Sequence, residues 1–301
     1  MRVATRFLVT AGAALAFAAM TSDLHPALAA DASDTAPRIL SIGGDITEIL
    51  YDLGQQDKVV AVDTTSLFPP DALKDKKSVG YMRALSAEGA LSVNPTLIIA
   101  SDGAGPPEVV KALKGSGVRY VEIADKPSAQ GVPDKIRHIG TLVGADDAAN
   151  ALATKIETEF ASLDNDRRQI KSRKKVLFIL AIVNGRATVG GGGTAADSIL
   201  LLAGADNAAA GVAGYKPVND EQLTEFAPDA VVIMRRAGTD EHRAKEALTL
   251  AGLSQTPAAK TNSLIQMDGL YVLGFGPRAP DAARDLMKAI YPEAGQAAAT
   301  P

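Results

Sequence analysis

The run GYMRALSAEGALSVNPTLII, residues 80–99, decides how the chain is read. A Gly-Tyr pair opens it, and an arginine follows two positions after the tyrosine. Next come a glutamate, an apolar run and an Asn-Pro break, and then a β-branched strand signal. The same plan recurs at residues 214–233, GYKPVNDEQLTEFAPDAVVI. Glu88 precedes Pro95, and Glu221 precedes Pro228, by the same interval of seven positions. Each proline leads into a buried-strand pattern. Two such units in one chain predict two similar lobes that face each other.

The chain around these units has 301 residues, 47% of them hydrophobic, enough for one large domain or two ordinary ones. The net charge of −4 supplies no broad basic field for nucleic acid or an anionic membrane surface. With no cysteine there are no disulfides, no thiolate metal sites and no thiol catalysis. Arg2 and Arg6 precede an apolar, alanine-rich run over residues 7–20, too short to span a bilayer comfortably. Ala27-Leu28-Ala29 then fits a small-x-small cleavage site. Residues 1–30 are therefore expected to be a secretory signal peptide, cut after Ala29 or Ala30, with the mature protein in the periplasm and not embedded in a membrane. No cysteine follows for lipid attachment.

Beyond a small, polar lead-in, residues 38–42 and 58–62 read as strands on either side of a helix that Asp45 or Thr47 could cap and Gly54 closes. This order favours a parallel sheet. Strands are also expected over residues 97–100 and 119–123, with a helix between them that starts at Pro106-Pro107. Residues 146–171 carry an uninterrupted helical pattern, with Leu152, Ile156, Phe160, Leu163 and Ile170 on one face. At 1.5 Å per residue such a helix would reach about 39 Å, the length of a rod joining two lobes. A fresh strand over 175–182 restarts the α/β pattern, Thr194 and Asp197 form a capping box, 268–275 reads as a late strand and 281–291 as a closing helix. The expected fold class is α/β: two lobes, each with a mainly parallel sheet flanked by helices. The boundaries are an N-terminal lobe at 37–143, a linking helix at 144–172, a C-terminal lobe at 173–293 and a frayed tail at 294–301.

Few residues offer chemistry. His25 leaves with the signal peptide, and His138 and His242 have no zinc-ligand spacing. Residues 190–194, GGGGT, lack the lysine of a phosphate loop and read as a cleft-lining loop that feeds a capped helix. Ser41 and Ser101 stand near strand ends without a nucleophile elbow or a nearby histidine, so an enzyme has little support. Tyr81 sits on a loop, where binding groups concentrate. Its phenolate would be a hard oxygen donor for ferric iron, and tyrosine is a known ligand of haem iron. Arg83 would share its face if the segment is extended. The plain alternative is a tyrosine that plugs the loop onto its lobe. Glu88 and Glu221 fall at equivalent places at the starts of two helices. They are either favourable helix-dipole carboxylates or a matched pair of docking charges.

The motifs SIGGDITEILYDLG (41–54), VGYMRALSAEG (79–89), SDGAGPP (101–107), GGGGTAAD (190–197), GYKPVNDEQL (214–223) and LGFGPRAPDAA (273–283) resemble the periplasmic haem-binding proteins of bacterial haem ABC importers. These are substrate-binding proteins of the rigid-helix class, related to cobalamin- and siderophore-binding proteins. The resemblance covers essentially the whole mature chain, and VGYMRALSAEG with LGFGPR marks the haem branch. It implies a class III periplasmic-binding-protein fold and haem b as the transported ligand, with Tyr81 as axial ligand of the iron and Arg83 bonded to its phenolate. It implies that Glu88 and Glu221 dock on the two permease subunits of an inner-membrane ABC importer, and that the protein is a monomer and no enzyme. Arg236 would supply the far wall of the cleft and Tyr215 the other face of the porphyrin. Some relatives add a histidine from the second lobe, but no histidine stands between His138 and His242 here. A ferric siderophore or a corrinoid is the alternative ligand.

Overall fold

A computed structural model describes residues 37–235 and 247–292. The expected signal peptide, the tail, Arg236 and His242 lie outside the described residues. The first half runs β1 (Ile39–Ile42), α1 (Gly44–Asp52), β2 (Val59–Val62), α2 (Asp71–Asp75), β3 (Lys77–Ser78), α3 (Ala87–Leu91), β4 (Leu97–Ser101), α4 (Pro107–Lys114) and β5 (Arg119–Ile123). Its strands pair in the order β3-β2-β1-β4-β5, all parallel. Every residue of β1 is buried, as a strand covered on both faces requires.

Two helices follow, α5 (Gly131–Val143) and α6 (Asp146–Arg168). The second is the expected rod, with 23 residues and a length of about 35 Å at 1.5 Å per residue. It buries Ala149, Ala153, Ile156, Phe160 and Leu163. It stops short of the expected end because Ile170 turns away to pack under Gly204, where a β-carbon would stand 2.2 Å from the Ile170 Cδ1. In the last turn Asp164 pairs with both Arg167 and Arg168.

The second half comprises β6 (Lys175–Val183), β7 (Arg186–Gly190), α7 (Ala195–Leu202), β8 (Asp206–Asn207), β9 (Tyr215–Pro217), α8 (Asp220–Phe226), β10 (Ala230–Arg235), α9 (Pro257–Lys260), β11 (Leu264–Asp268), α10 (Gly269–Leu273) and α11 (Ala279–Ile290). Its sheet is mixed: β11, β10 and β6 are parallel, whereas β6-β7 and β7-β9 are antiparallel. Asn184 and Gly185, both at positive φ, make the tight turn between β6 and β7. The late strand expected over 268–275 is corrected. The strand ends at Asp268, whose carboxylate accepts from the Tyr271 N–H and caps a short helix instead.

Side chains alternate between clusters along the central strands. Leu40, Ile42, Ile98 and Ala100 serve the outer face of the first sheet, and Leu177 and Ile179 that of the second. Ile39, Leu97, Ile99, Val176 and Phe178 all belong to one inner cluster that also takes in α5, α6, α7 and α11. The two sheets therefore share a continuous apolar core.

Candidate functional site

A cavity of about 640 Å³ opens where residues of both halves converge. Tyr81, Met82 and Arg83 line it from the first half, and Leu180, Met234 and Arg235 from the second. Asp45, Leu273 and Gly274 also line it.

The loop that carries Tyr81 is held at both ends. Gly80 adopts φ +94, a region open to glycine, and its carbonyl accepts from the Thr64 N–H at 2.9 Å. The Tyr81 carbonyl accepts from the Ala84 N–H at 2.8 Å, which closes a turn. Met82 and Leu85 then exchange main-chain bonds with Gly105. Tyr81 remains 46% exposed. The turn, and not an extended run, brings Tyr81 and Arg83 to one cavity. Among the described residues no carboxylate pairs with Arg83.

Tyr215, its counterpart in the second unit, is placed differently. Its hydroxyl accepts from the Ala196 N–H at 3.3 Å, at the start of α7, and its ring lies over Gly190. It does not line the cavity. Burial pushes its pKa up, and the Ala196 and Thr194 hydrogen bonds pull the other way. The charges of Asp125 and Arg83, both cavity residues, also reach it. The repeat thus gives one phenol facing the cavity and one tied to a helix start.

Glu88 and Glu221 occupy the matching places that the repeat implies. Each is exposed in the first turn of a helix whose N-cap side chain, Ser86 or Asn219, accepts a main-chain N–H. Asn219 and Gln222 complete a reciprocal capping box. Residues 190–193 do not line the cavity. Gly191 and Gly192 are pinned by main-chain bonds to Gly214 and Val212, and a β-carbon at Gly191 would sit 1.9 Å from the Val212 carbonyl oxygen. Thr194 does cap α7, but the expected box is not reciprocal, because the Asp197 carboxylate accepts from the Gly193 N–H at 3.1 Å instead. His138 is exposed on α5, and no metal-binding cluster of His, Asp and Glu occurs among the described residues.

Other residues near the site carry no local sequence signal. Thr47 does not cap α1, whose N-cap is Gly43. It joins a buried chain of hydroxyls, 2.7 Å from Ser41 and 2.8 Å from Ser66. That chain ends on Asp63, which also accepts from the Gly43 and Thr65 N–H groups, both at 2.9 Å. Lys135 is buried beside the cavity, with Asp45 at 2.5 Å and Asp125 at 3.8 Å. Burial opposes its charge, but Asp45 and then the more distant carboxylates outweigh burial and raise its pKa. Asp125 is raised, chiefly by burial and against the pull of Lys135.

A family model for periplasmic binding proteins matches residues 39–270. This chain belongs to that family. Its arrangement is the class III periplasmic-binding-protein fold, with the long α6 as connecting helix. The periplasmic heme-binding protein RhuT of Roseiflexus sp. RS-1 is 36% identical, over 86% of this chain and 100% of that one, at a TM-score of 0.80. The periplasmic heme-binding protein BhuT, solved in complex with two hemes, is 34% identical over 85% and 98%, also at 0.80. Among curated proteins, an uncharacterized ABC transporter substrate-binding lipoprotein of Bacillus subtilis, YvrC, is 29% identical over 85% of this chain and 80% of its own. A vitamin B12-binding protein of Vibrio campbellii is 22% identical over 70% and 75%. This periplasmic binding protein has no described helix long and apolar enough to cross a membrane.

Proposed function

We propose that this protein captures haem b in the cavity between its two halves and delivers it to an inner-membrane ABC importer. The observation that carries the reading is the Tyr81 phenol, exposed on a pinned loop and facing a shared cavity beside the Arg83 guanidinium, which no carboxylate pairs among the described residues. Phenolate is a hard donor suited to ferric iron, and the adjacent Arg83 charge would favour its ionised form. Leu180, Leu270 and Leu273 supply apolar wall for a porphyrin disc. Arg235, which lines the cavity, is an added candidate for the far wall beside Arg236. Tyr215 would pack near the porphyrin edge and stay hydrogen-bonded to α7.

The protein works as a periplasmic monomer, exported by residues 1–30. Lobes 37–143 and 173–293 move little about the helix at 144–172, and Glu88 and Glu221 meet one permease subunit each. No bond in the cargo is made or broken, so the protein is no enzyme. Hemin titration followed by absorbance tests this. A ferric tyrosinate spectrum should form and be lost in Tyr81→Ala, and the endpoint counts haems per protein. No spectral change with hemin would favour a corrinoid or ferric siderophore, the reading that the vitamin B12-binding relatives support.

A further inference from the structure

The motif LGFGPR, residues 273–278, is not explained by iron ligation or by docking. Its arginine and its phenylalanine carbonyl reach back to the first half. Three donors of Arg278 converge on the buried Glu48 carboxylate of α1: the main-chain N–H at 3.2 Å, Nε at 3.0 Å and a terminal nitrogen at 2.8 Å. The guanidinium also stacks on Phe68, 3.6 Å from the ring centroid. Three residues earlier on α1, Asp45 holds Lys135, whose ammonium also donates to the Phe275 carbonyl at 3.4 Å. Phe275 takes φ +47, a left-handed conformation that side chains other than glycine rarely adopt, and its ring is buried. Arg278 is also the N-cap of α11, which packs on α6.

We infer that Glu48, Arg278 and Lys135 are positioning residues for ligand capture. They clasp residues 274–278 to α1 at the wall of the cavity, where Asp45, Leu273 and Gly274 lie, and so set the separation of the Tyr81 wall from the Met234-Arg235 wall. The ligand part of this inference rests on the haem reading; the geometric part does not. Stability alone does not call for such a clasp. A buried ion pair replaced by apolar side chains of similar volume is often no less stable, whereas a forked pair permits one arrangement.

The test therefore separates rigidity from stability. Spin labels on cysteines placed at Lys111 and Lys260, exposed on α4 and α9 of a chain with no native cysteine, report the distance across the two halves without ligand. In Glu48→Leu/Arg278→Met the distance distribution should broaden while Tm stays within about 3 °C of the parent. The apparent hemin dissociation constant should rise about tenfold if the binding-competent fraction falls to about a tenth. Arg278→Lys, which keeps the charge and loses the fork, should shift both readouts in the same direction and serves if the double variant does not fold. Unchanged distance width and unchanged hemin affinity in a folded variant would overturn the inference. If the parent protein ignores hemin, the haem reading falls and the distance measurement decides the clasp by itself.

Discussion

The two ion pairs that α1 makes are buried with opposite polarity, and this makes an ordered prediction. In the first pair the carboxylate is the hidden partner: the Glu48 side chain is 3% exposed and Arg278 is 27% exposed. In the second the cation is hidden: Lys135 is 3% exposed and Asp45 16%. Removing the more accessible partner strands a buried charge, which costs about 3–5 kcal/mol, whereas removing the hidden one frees a group that can reach water. Arg278→Met should therefore cost about 3–5 kcal/mol, or a Tm loss of about 6–20 °C. Glu48→Gln should cost only about 1 kcal/mol, since Arg278 keeps its stack on Phe68 and can rehydrate. In the second pair the order reverses. Asp45→Ala should cost about 2–3 kcal/mol, short of the full penalty because Phe275 and Asp125 still face the ammonium, and Lys135→Met should cost less.

The first pair carries a pH signature as well. Burial raises the Glu48 pKa from 4.5 by more than Arg278 lowers it. A carboxyl whose folded pKa is raised holds its proton more tightly folded than unfolded. Its contribution is present in full below the unfolded value and is lost as pH rises through the folded one. Arg278→Met removes the lowering influence, so its deficit should be smallest in acid and grow toward neutral pH. Urea unfolding of the unloaded protein, followed by circular dichroism at several pH values, measures all four variants. The reasoning fails if Glu48→Gln costs as much as Arg278→Met, or if the Arg278→Met deficit is flat with pH.

Two further outcomes follow from single sites. The Tyr120 hydroxyl is buried with no protein partner among the described residues, and burial and then Glu122 push its pKa up to about 12. Its raised pKa means stability that is complete below pH 10 and lost as pH climbs through 12. Tyr120→Phe should therefore unfold no more easily at neutral pH, and should lose less stability between pH 10 and 12 in urea melts. Glu88→Ala with Glu221→Ala should leave hemin spectra as in the parent and lower uptake through the importer, in reconstituted vesicles, by about tenfold or more. Normal uptake would remove these glutamates from docking.

Much of the fold was readable because it is written locally. The strand at 97–101 after Pro95, the helix at 107–114 after Pro106, the Thr194 cap and the buried face of α6 each follow from a period or a cap within a few residues. The duplicated unit placed Glu88 and Glu221 correctly on two helix starts, since a repeat copies local geometry. It failed for the tyrosines, which share a motif but not a setting. Tyr81 faces the cavity because its turn is bonded to Gly105, whereas Tyr215 lies against Gly190 and the start of α7. The strand expected over 268–275 failed for a similar reason, because a carboxylate cap at Asp268 outweighs the apolar run beyond it.

What the chain determined by itself is the order of strands and helices, their caps, and the loop that bears Tyr81 and Arg83. Only the tertiary structure decided which charges the carboxylates of α1 meet. Asp45 meets Lys135 across 90 positions, and Glu48 meets Arg278 across 230. Hydrophobic period and capping act over a turn or two of chain and leave a trace in sequence. An ion pair closed by the packing of two sheets on one core leaves none, because its energy comes from burial that no single segment can provide.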